Sequence, residues 1–236
     1  MKVGLILTGF LMAVILAVAC GGEVVVTETP APQTKPASVA TEPTSTPEVP
    51  SSGQSHFNAG DALKREGRLE EAIAEYDEAI RLDPQYAQAY NNRGTAYLSL
   101  GQVERAIHDL DEAIRLEPQY ALAYSNRGSA YFSLSQIERA IADFGEAIRL
   151  EPQNAAAYNN RGIAYDFLRQ HQRAVQDLDE AIRLDPQYAQ AYNNRAISNT
   201  FLGNDVEAQQ DLERAVELGI DRAELEAALD QIKNER

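Results

Sequence analysis

The sequence predicts an all-α repeat array, and three observations carry the prediction. Asp77–Arg93, DEAIRLDPQYAQAYNNR, recurs letter for letter at Asp179–Arg195, three periods of 34 residues further on. Altered copies lie between them, around Pro118 and Pro152. Within each period apolar residues recur at helical spacing in two halves. A breaker separates the halves at the fifteenth place: Gly67, Gly101 and Gly203, with Ser135 and Arg169 in the third and fourth periods. A chain repeating at this length buries the apolar face of each unit only against its neighbours.

Before the array come two segments of different character. Met1–Ala19 carries one positive charge, Lys2, and then an apolar run from Val3 to Ala19. That is short for a membrane span and reads as a signal peptide. Leu16-Ala17-Val18-Ala19 then meets Cys20, the chain's single cysteine. The pattern resembles the lipobox of bacterial lipoproteins, with Ala17 where leucine is commonest. The resemblance implies a lipid on the Cys20 sulfur, cleavage ahead of it, and a bacterial envelope protein held on the extracytoplasmic side of a membrane. Residues 20–55 form a Pro/Thr/Ser-rich tether holding six of the ten prolines between Pro30 and Pro50. Such a composition offers little apolar surface to bury. At about 3 Å per residue it would reach on the order of 100 Å.

Residues 56–222 hold the array, and its units align from Gly53, Ala87, Ala121, Ala155 and Ala189. The eighth place is small (Gly60, Gly94, Gly128, Gly162, Ala196), and the twentieth and twenty-seventh are always alanine. The eleventh is Leu63, Tyr97, Tyr131, Tyr165 and then Asn199. Proline holds the thirty-second place until Ile220 replaces it in the fifth unit. Asp83-Pro84 and its copies read as an acidic N-cap with proline at the first helical position. Helices of roughly a dozen residues follow, joined by tight turns. The turns at Ser135 and Arg169 are expected to be more strained or more open, because a side chain stands where the other units have glycine. Residues 223–236 form one further helix with Leu225, Leu229 and Ile232 on one stripe, a cap for the last unit.

These columns resemble the tetratricopeptide repeat: a bulky residue, a small one, an aromatic, two alanines and a proline at fixed offsets. The resemblance implies a right-handed α-solenoid of five helix–turn–helix units with a concave face for partners. It implies no reaction.

Composition narrows the function classes further. A net charge of −15 argues against nucleic acid as partner, since phosphate binding needs clustered Lys and Arg. One cysteine and three histidines leave no disulfide framework and no Cys/His zinc site. His56, His108 and His171 fall at unrelated places, His56 reading as a packing residue and His108 as solvated. Phosphate loops, nucleophile elbows and paired-His motifs do not occur, so the reading is a non-enzyme with no cofactor.

Two recurring polar features remain. Arginine fills the seventh place of units two to five, where the family usually has leucine, and an acid fills the twenty-third place of every unit. An arginine at a normally apolar site needs a carboxylate for its guanidinium. The expected pairs cross unit boundaries: Arg93 with Glu75, Arg127 with Asp109, Arg161 with Asp143, Arg195 with Asp177. The competing register lies within units, pairs Arg127 with Asp143 and leaves Glu75 alone. The second feature is asparagine at the sixth place (Asn58, Asn92, Asn126, Asn160, Asn194) and the fifth (Asn91, Asn159, Asn193, with Ser125 in unit three). These places lie opposite the packed stripe of the first helix, with Phe57, Phe167 and Phe201, and with Leu98 and Phe132 nearby. Carboxamides spaced along such a face can hold an extended peptide backbone. The alternative is that they tolerate a solvated face or join adjacent first helices.

The function expected is a lipid-anchored adaptor, scaffold or assembly factor that binds a protein or extended peptide segment. Alternatives are an assembly lipoprotein for pili or outer-membrane machinery, or a self-associating structural element. The family's carboxylate-clamp subtype is not matched, because it requires lysines where this chain has Gln88, Leu122, Ala156 and Gln190.

Overall fold

Alanine, leucine, glutamate and arginine dominate the repeat, and all four are good helix formers. The computed structural model describes residues 52–236, and among these it shows eleven α-helices and no strand. The signal run, Cys20 and most of the tether lie outside the described residues. Units one to five are α1 (Gly53–Arg65) with α2 (Leu69–Leu82), α3 (Ala87–Ser99) with α4 (Val103–Leu116), α5 (Ala121–Ser133) with α6 (Ile137–Leu150), α7 (Ala155–Phe167) with α8 (His171–Leu184), and α9 (Ala189–Leu202) with α10 (Asp205–Glu217). A last helix, α11 (Arg222–Glu235), follows. The first helix therefore begins at Gly53, inside the stretch assigned above to the tether, where the Ser52 hydroxyl accepts from the Ser55 N–H.

Each first helix packs on the second helix of its own unit and, from unit two onward, on that of the unit before. The alanine columns explain how. All ten alanines of the twentieth and twenty-seventh places are at most 1 % exposed. A methyl group is the largest substituent that lets two helices meet at such a crossing.

Inside a unit, the small eighth place faces the large twenty-fourth. A Cβ added to Gly128 would stand 2.8 Å from Phe144 Cε1, and one on Gly60 would stand 2.6 Å from Tyr76 Cε1. Against leucine the fit is looser: on Gly94 the nearest atom would be Leu110 Cγ at 3.0 Å. Unit five shows that alanine fits there, since Ala196 and Leu212 at these two places are both closed to solvent.

The turns follow the sequence at the fifteenth place. Gly67, Gly101 and Gly203 have φ of 75°, 71° and 81°, and Ser135 and Arg169 are forced to 57°. For a side-chain-bearing residue that left-handed conformation costs about 1–2 kcal/mol. The Asp-Pro steps behave differently from the expectation. Asp83 ends α2 instead of capping α3, and its carboxylate accepts from the Gln85 N–H at 3.0 Å. Asp185 does the same toward Gln187 at 2.9 Å. Proline terminates one helix, and the next starts three residues later, after Tyr86 or Tyr188.

The last helix α11 lies mainly on α9, burying Leu225, Leu229 and Ile232. Its Asp221 carboxylate caps the Glu224 N–H at 2.8 Å, and Arg236 donates to the Thr200 carbonyl and to Asp205.

Steric closure at the eighth place makes a graded prediction. Gly128→Ala should destabilise the protein by about 1–3 kcal/mol, because the buried Phe144 ring cannot retreat. Gly94→Ala should be close to neutral, the gain in helix propensity of about 1 kcal/mol offsetting a softer clash. Urea denaturation of the two variants checks the order; equal losses would show that ring size at the twenty-fourth place does not set the fit.

Candidate functional site: the first-helix face and its polar columns

The arginine column corrects the register expected from sequence. Arg93 donates through Nε and Nη2 to the two carboxylate oxygens of Asp109, both at 2.7 Å, within unit two. The same fork joins Arg127 to Asp143 at 2.8 Å, Arg161 to Asp177 at 2.8 Å, and Arg195 to Asp211 at 2.9 and 2.6 Å. The pairs Arg93–Glu75, Arg127–Asp109, Arg161–Asp143 and Arg195–Asp177 do not form. The reason is geometric: the twenty-third residue sits one helical step from the twenty-fourth, which presses against the first helix of its own unit. Glu75, left without a ladder arginine, lies 2.7 Å from Nδ1 of His56, so that histidine makes a polar contact as well as a packing one.

The boundary-crossing partner is a different acid. Arg93 Nη1 reaches Asp77 at 2.5 Å, Arg127 Nη1 reaches Asp111 at 2.7 Å, and Arg195 Nη1 reaches Asp179 at 2.5 Å. All three acids occupy the twenty-fifth place of the preceding unit. In unit three that place is Gly145, and Arg161 has no second carboxylate. Hydrogen bonds donated to Asp143, opposed by burial and reinforced by Asp111, raise the Arg127 guanidinium above its ordinary pKa. For Arg161 only Asp177 acts among the carboxylates.

A third column escaped the sequence reading. Arg105 lies 4.0 Å from the Tyr97 ring centroid, and its Nη2 donates to the Tyr97 hydroxyl at 2.6 Å. Arg139 with Tyr131 and Arg173 with Tyr165 repeat the arrangement. The signal was present in the alignment of units. The eleventh and nineteenth places change together: Leu63 with Glu71 in unit one, Asn199 with Glu207 in unit five, and Tyr with Arg in the three between.

Most of the asparagines are engaged with one another. Asn126 Nδ2 donates to Asn91 Oδ1 at 2.8 Å across the boundary of units two and three, and Asn194 to Asn159 at 2.9 Å across that of units four and five. Asn92 Nδ2 donates to Asp61 in unit one at 2.8 Å. Within units, Asn91, Asn159 and Asn193 donate to Asn92, Asn160 and Asn194. Asn91, Asn159 and Asn193 are at most 3 % exposed, so they cannot present amides to a ligand. The second of the two readings given above, a link between adjacent first helices, describes these residues. Asn58 is exposed and accepts only from Gln54.

What the first helices leave accessible is neutral. In units two to five their only charged residues are the four paired arginines and Asp166. Burial raises the Asp166 pKa, while Nδ1 of His171 at 2.8 Å and the Ser198 hydroxyl at 2.5 Å act the other way. His171 stacks on Phe201 at 4.5 Å between centroids, and Phe132 meets Phe167 edge-on at 4.9 Å. All three phenylalanines are half-buried, and Ser99 and Ser133, at the thirteenth places of units two and three, are exposed. Among the described residues no group of His, Cys, Asp and Glu could hold a metal ion, and no helix is long and apolar enough to cross a membrane.

Family models described as TPR repeat match residues 60–101, 94–135 and 128–166, and one described as tetratricopeptide repeat matches 155–188. The chain belongs to the tetratricopeptide-repeat family. Proteins of this family are in general interaction scaffolds without catalysis of their own. The matches stop short of unit five, where Asn199 and Ile220 depart from the pattern. No curated protein matches the sequence. Among solved structures, the chain is similar to MamA at 28% identity, with TM-score 0.61, covering 67% of this chain and 93% of that one. It shares its fold with YrrB, described as a TPR protein with an unusual peptide-binding site, at 22% identity and TM-score 0.61, covering 75% and 91%. A thermophilic TPR protein of Thermus thermophilus matches at 22% identity and TM-score 0.62, covering 77% and 98%.

The register of the arginine column is open to a double-mutant cycle. Arg127→Ala alone should cost about 3 kcal/mol, because it leaves the buried Asp143 carboxylate unpaired. The coupling of Arg127 to Asp143 should exceed about 1 kcal/mol, and that to Asp109 should be near zero. A larger coupling to Asp109 in thermal unfolding would restore the pairing across unit boundaries.

Proposed function

We propose that this chain is a lipid-anchored, extracytoplasmic scaffold that receives a neutral, extended protein segment on the first-helix side of its array. One observation carries the binding reading. In a chain of net charge −15, the accessible first-helix face from unit two to unit five has no unpaired charge and a row of half-buried phenylalanines. An acidic protein excludes acidic partners from most of its surface by repulsion. The first-helix face is where a segment without charge would be desolvated at least cost, its apolar side chains meeting Phe132, Phe167 and Phe201. The asparagines then keep the face in shape, and contact with the ligand falls to Ser99, Ser133, Gln88 and the aromatic edges.

Photocrosslinking tests the face. With a benzophenone side chain at Ser99 or Ser133, the full chain should crosslink proteins of its own cell envelope, and Ser99→Glu with Ser133→Glu should weaken capture at least tenfold. The same probe at His108, an exposed second-helix position, should give little. Equal crosslinking from both sides would remove the first-helix face as the binding site.

The anchor rests on sequence. Lys2, the apolar run to Ala19 and the single Cys20 support a signal peptide ending in a lipidated cysteine. Each buried methylene adds about 0.8 kcal/mol to membrane binding, so a multiply acylated cysteine holds firmly. The wild-type chain should enter the detergent phase and incorporate labelled palmitate, and Cys20→Ser should do neither. A wild-type chain that stays aqueous would leave a secreted scaffold.

A further inference from the structure

The polar columns cross every boundary of the array except one. Between units one and two, Asn92 donates to Asp61 and Arg93 to Asp77. Between two and three, Asn126 donates to Asn91 and Arg127 to Asp111. Between four and five, Asn194 donates to Asn159 and Arg195 to Asp179. At the closing helix an exposed pair also reaches the twenty-fifth place of unit five, Glu213, but from Arg222 at the start of α11 and not from the seventh place.

Between units three and four both links are missing. Ser125 stands at the fifth place, too short to offer Asn160 a carboxamide oxygen, and Gly145 stands at the twenty-fifth, with no carboxylate for Arg161. Among the described residues, no hydrogen bond or ion pair joins a side chain of α5 or α6 to one of α7 or α8. Helix packing across this boundary is similar in extent to that at the others. It consists of apolar contacts, with Ala147 and Ile148 against Ala157 and Phe132 against Phe167.

We infer that the array divides at this boundary into two bodies, units one to three and units four to five with α11, joined by an apolar hinge. In a repeat array, stability is a sum of unit terms and nearest-neighbour terms, so the weakest neighbour term sets where the array comes apart. The kind of contact matters as much as its strength. The arginine's Nη1 bond to the preceding unit's carboxylate and the asparagine bond beside it fix the angle between units, because hydrogen bonds weaken steeply off axis. Apolar contact is non-directional, and a ring pair holds over centroid spacings of about 4.5–7 Å. Bending at this seam would change the spacing between the Phe132 and Phe167 rings and leave each body intact.

Ser125→Asn with Gly145→Asp supplies both missing links. Asparagine already fits the fifth place in three other units, and a Cβ on Gly145 meets only Arg161 Nη1, at 3.6 Å. Gly145→Ala alone is the control, since it removes the helix glycine and adds neither link. With Cys20→Ser as background, spin labels at His108 and Glu207 span the seam, and labels at His108 and Ala142 do not. The spanning distance distribution should be broad in the native seam and narrow in the stitched chain, with the other pair unchanged. In hydrogen exchange, the two bodies should open separately in the native chain. They should open together in the stitched one, with opening at the seam suppressed about fivefold relative to the control. A narrow native distribution, or a stitched chain indistinguishable from the control, overturns the hinge.

Discussion

A pair of helices thirteen or fourteen residues long has no interior of its own, and everything else in this molecule follows from that limit. Each unit must bury its apolar stripe on the next, so the alanines at the crossings are closed to solvent while most larger side chains are only partly covered. Small contact residues let the helix axes come close, and close axes give many weak dispersion contacts for little side-chain entropy. Because the contacts are local, the array needs an end. Leu225, Leu229 and Ile232 of α11 supply it by covering α9.

Apolar contact alone would leave the angle between units loosely set. The polar columns have directional geometry and act where the alanines cannot. The forked arginine fixes the two helices of one unit, and its third nitrogen together with the carboxamide pair fixes one unit on the next. A buried ion pair adds little net stability against an apolar substitute, so its use lies in specifying one arrangement. The same columns explain why the accessible first-helix face is neutral: its charges and most of its amides already have partners, leaving aromatic edges and hydroxyls for a ligand.

The asparagines were expected to line an open face, and the fifth-place ones are instead buried, at most 3 % exposed. The period groups them on one side of the first helix. It does not show their engagement with each other, because two residues 35 apart touch only once the spacing of adjacent first helices is fixed. The tyrosine–arginine column is the opposite case. Its two places change together in every unit, so the contact could have been read from the five copies alone.

The sequence by itself determined the period, the helices, the turn glycines and the two strained turns at Ser135 and Arg169, since these depend on local preference and repetition. It also marked the small columns at which the helices cross, though not the large twenty-fourth residue that each eighth-place glycine meets. The tertiary structure decided which acid each arginine reaches. In a 34-residue repeat, the aspartate 16 residues after Arg127 and the one 18 residues before it are almost equally near along the chain. Only the angle between helices distinguishes them, and that angle is a property of packed units rather than of any one unit's sequence.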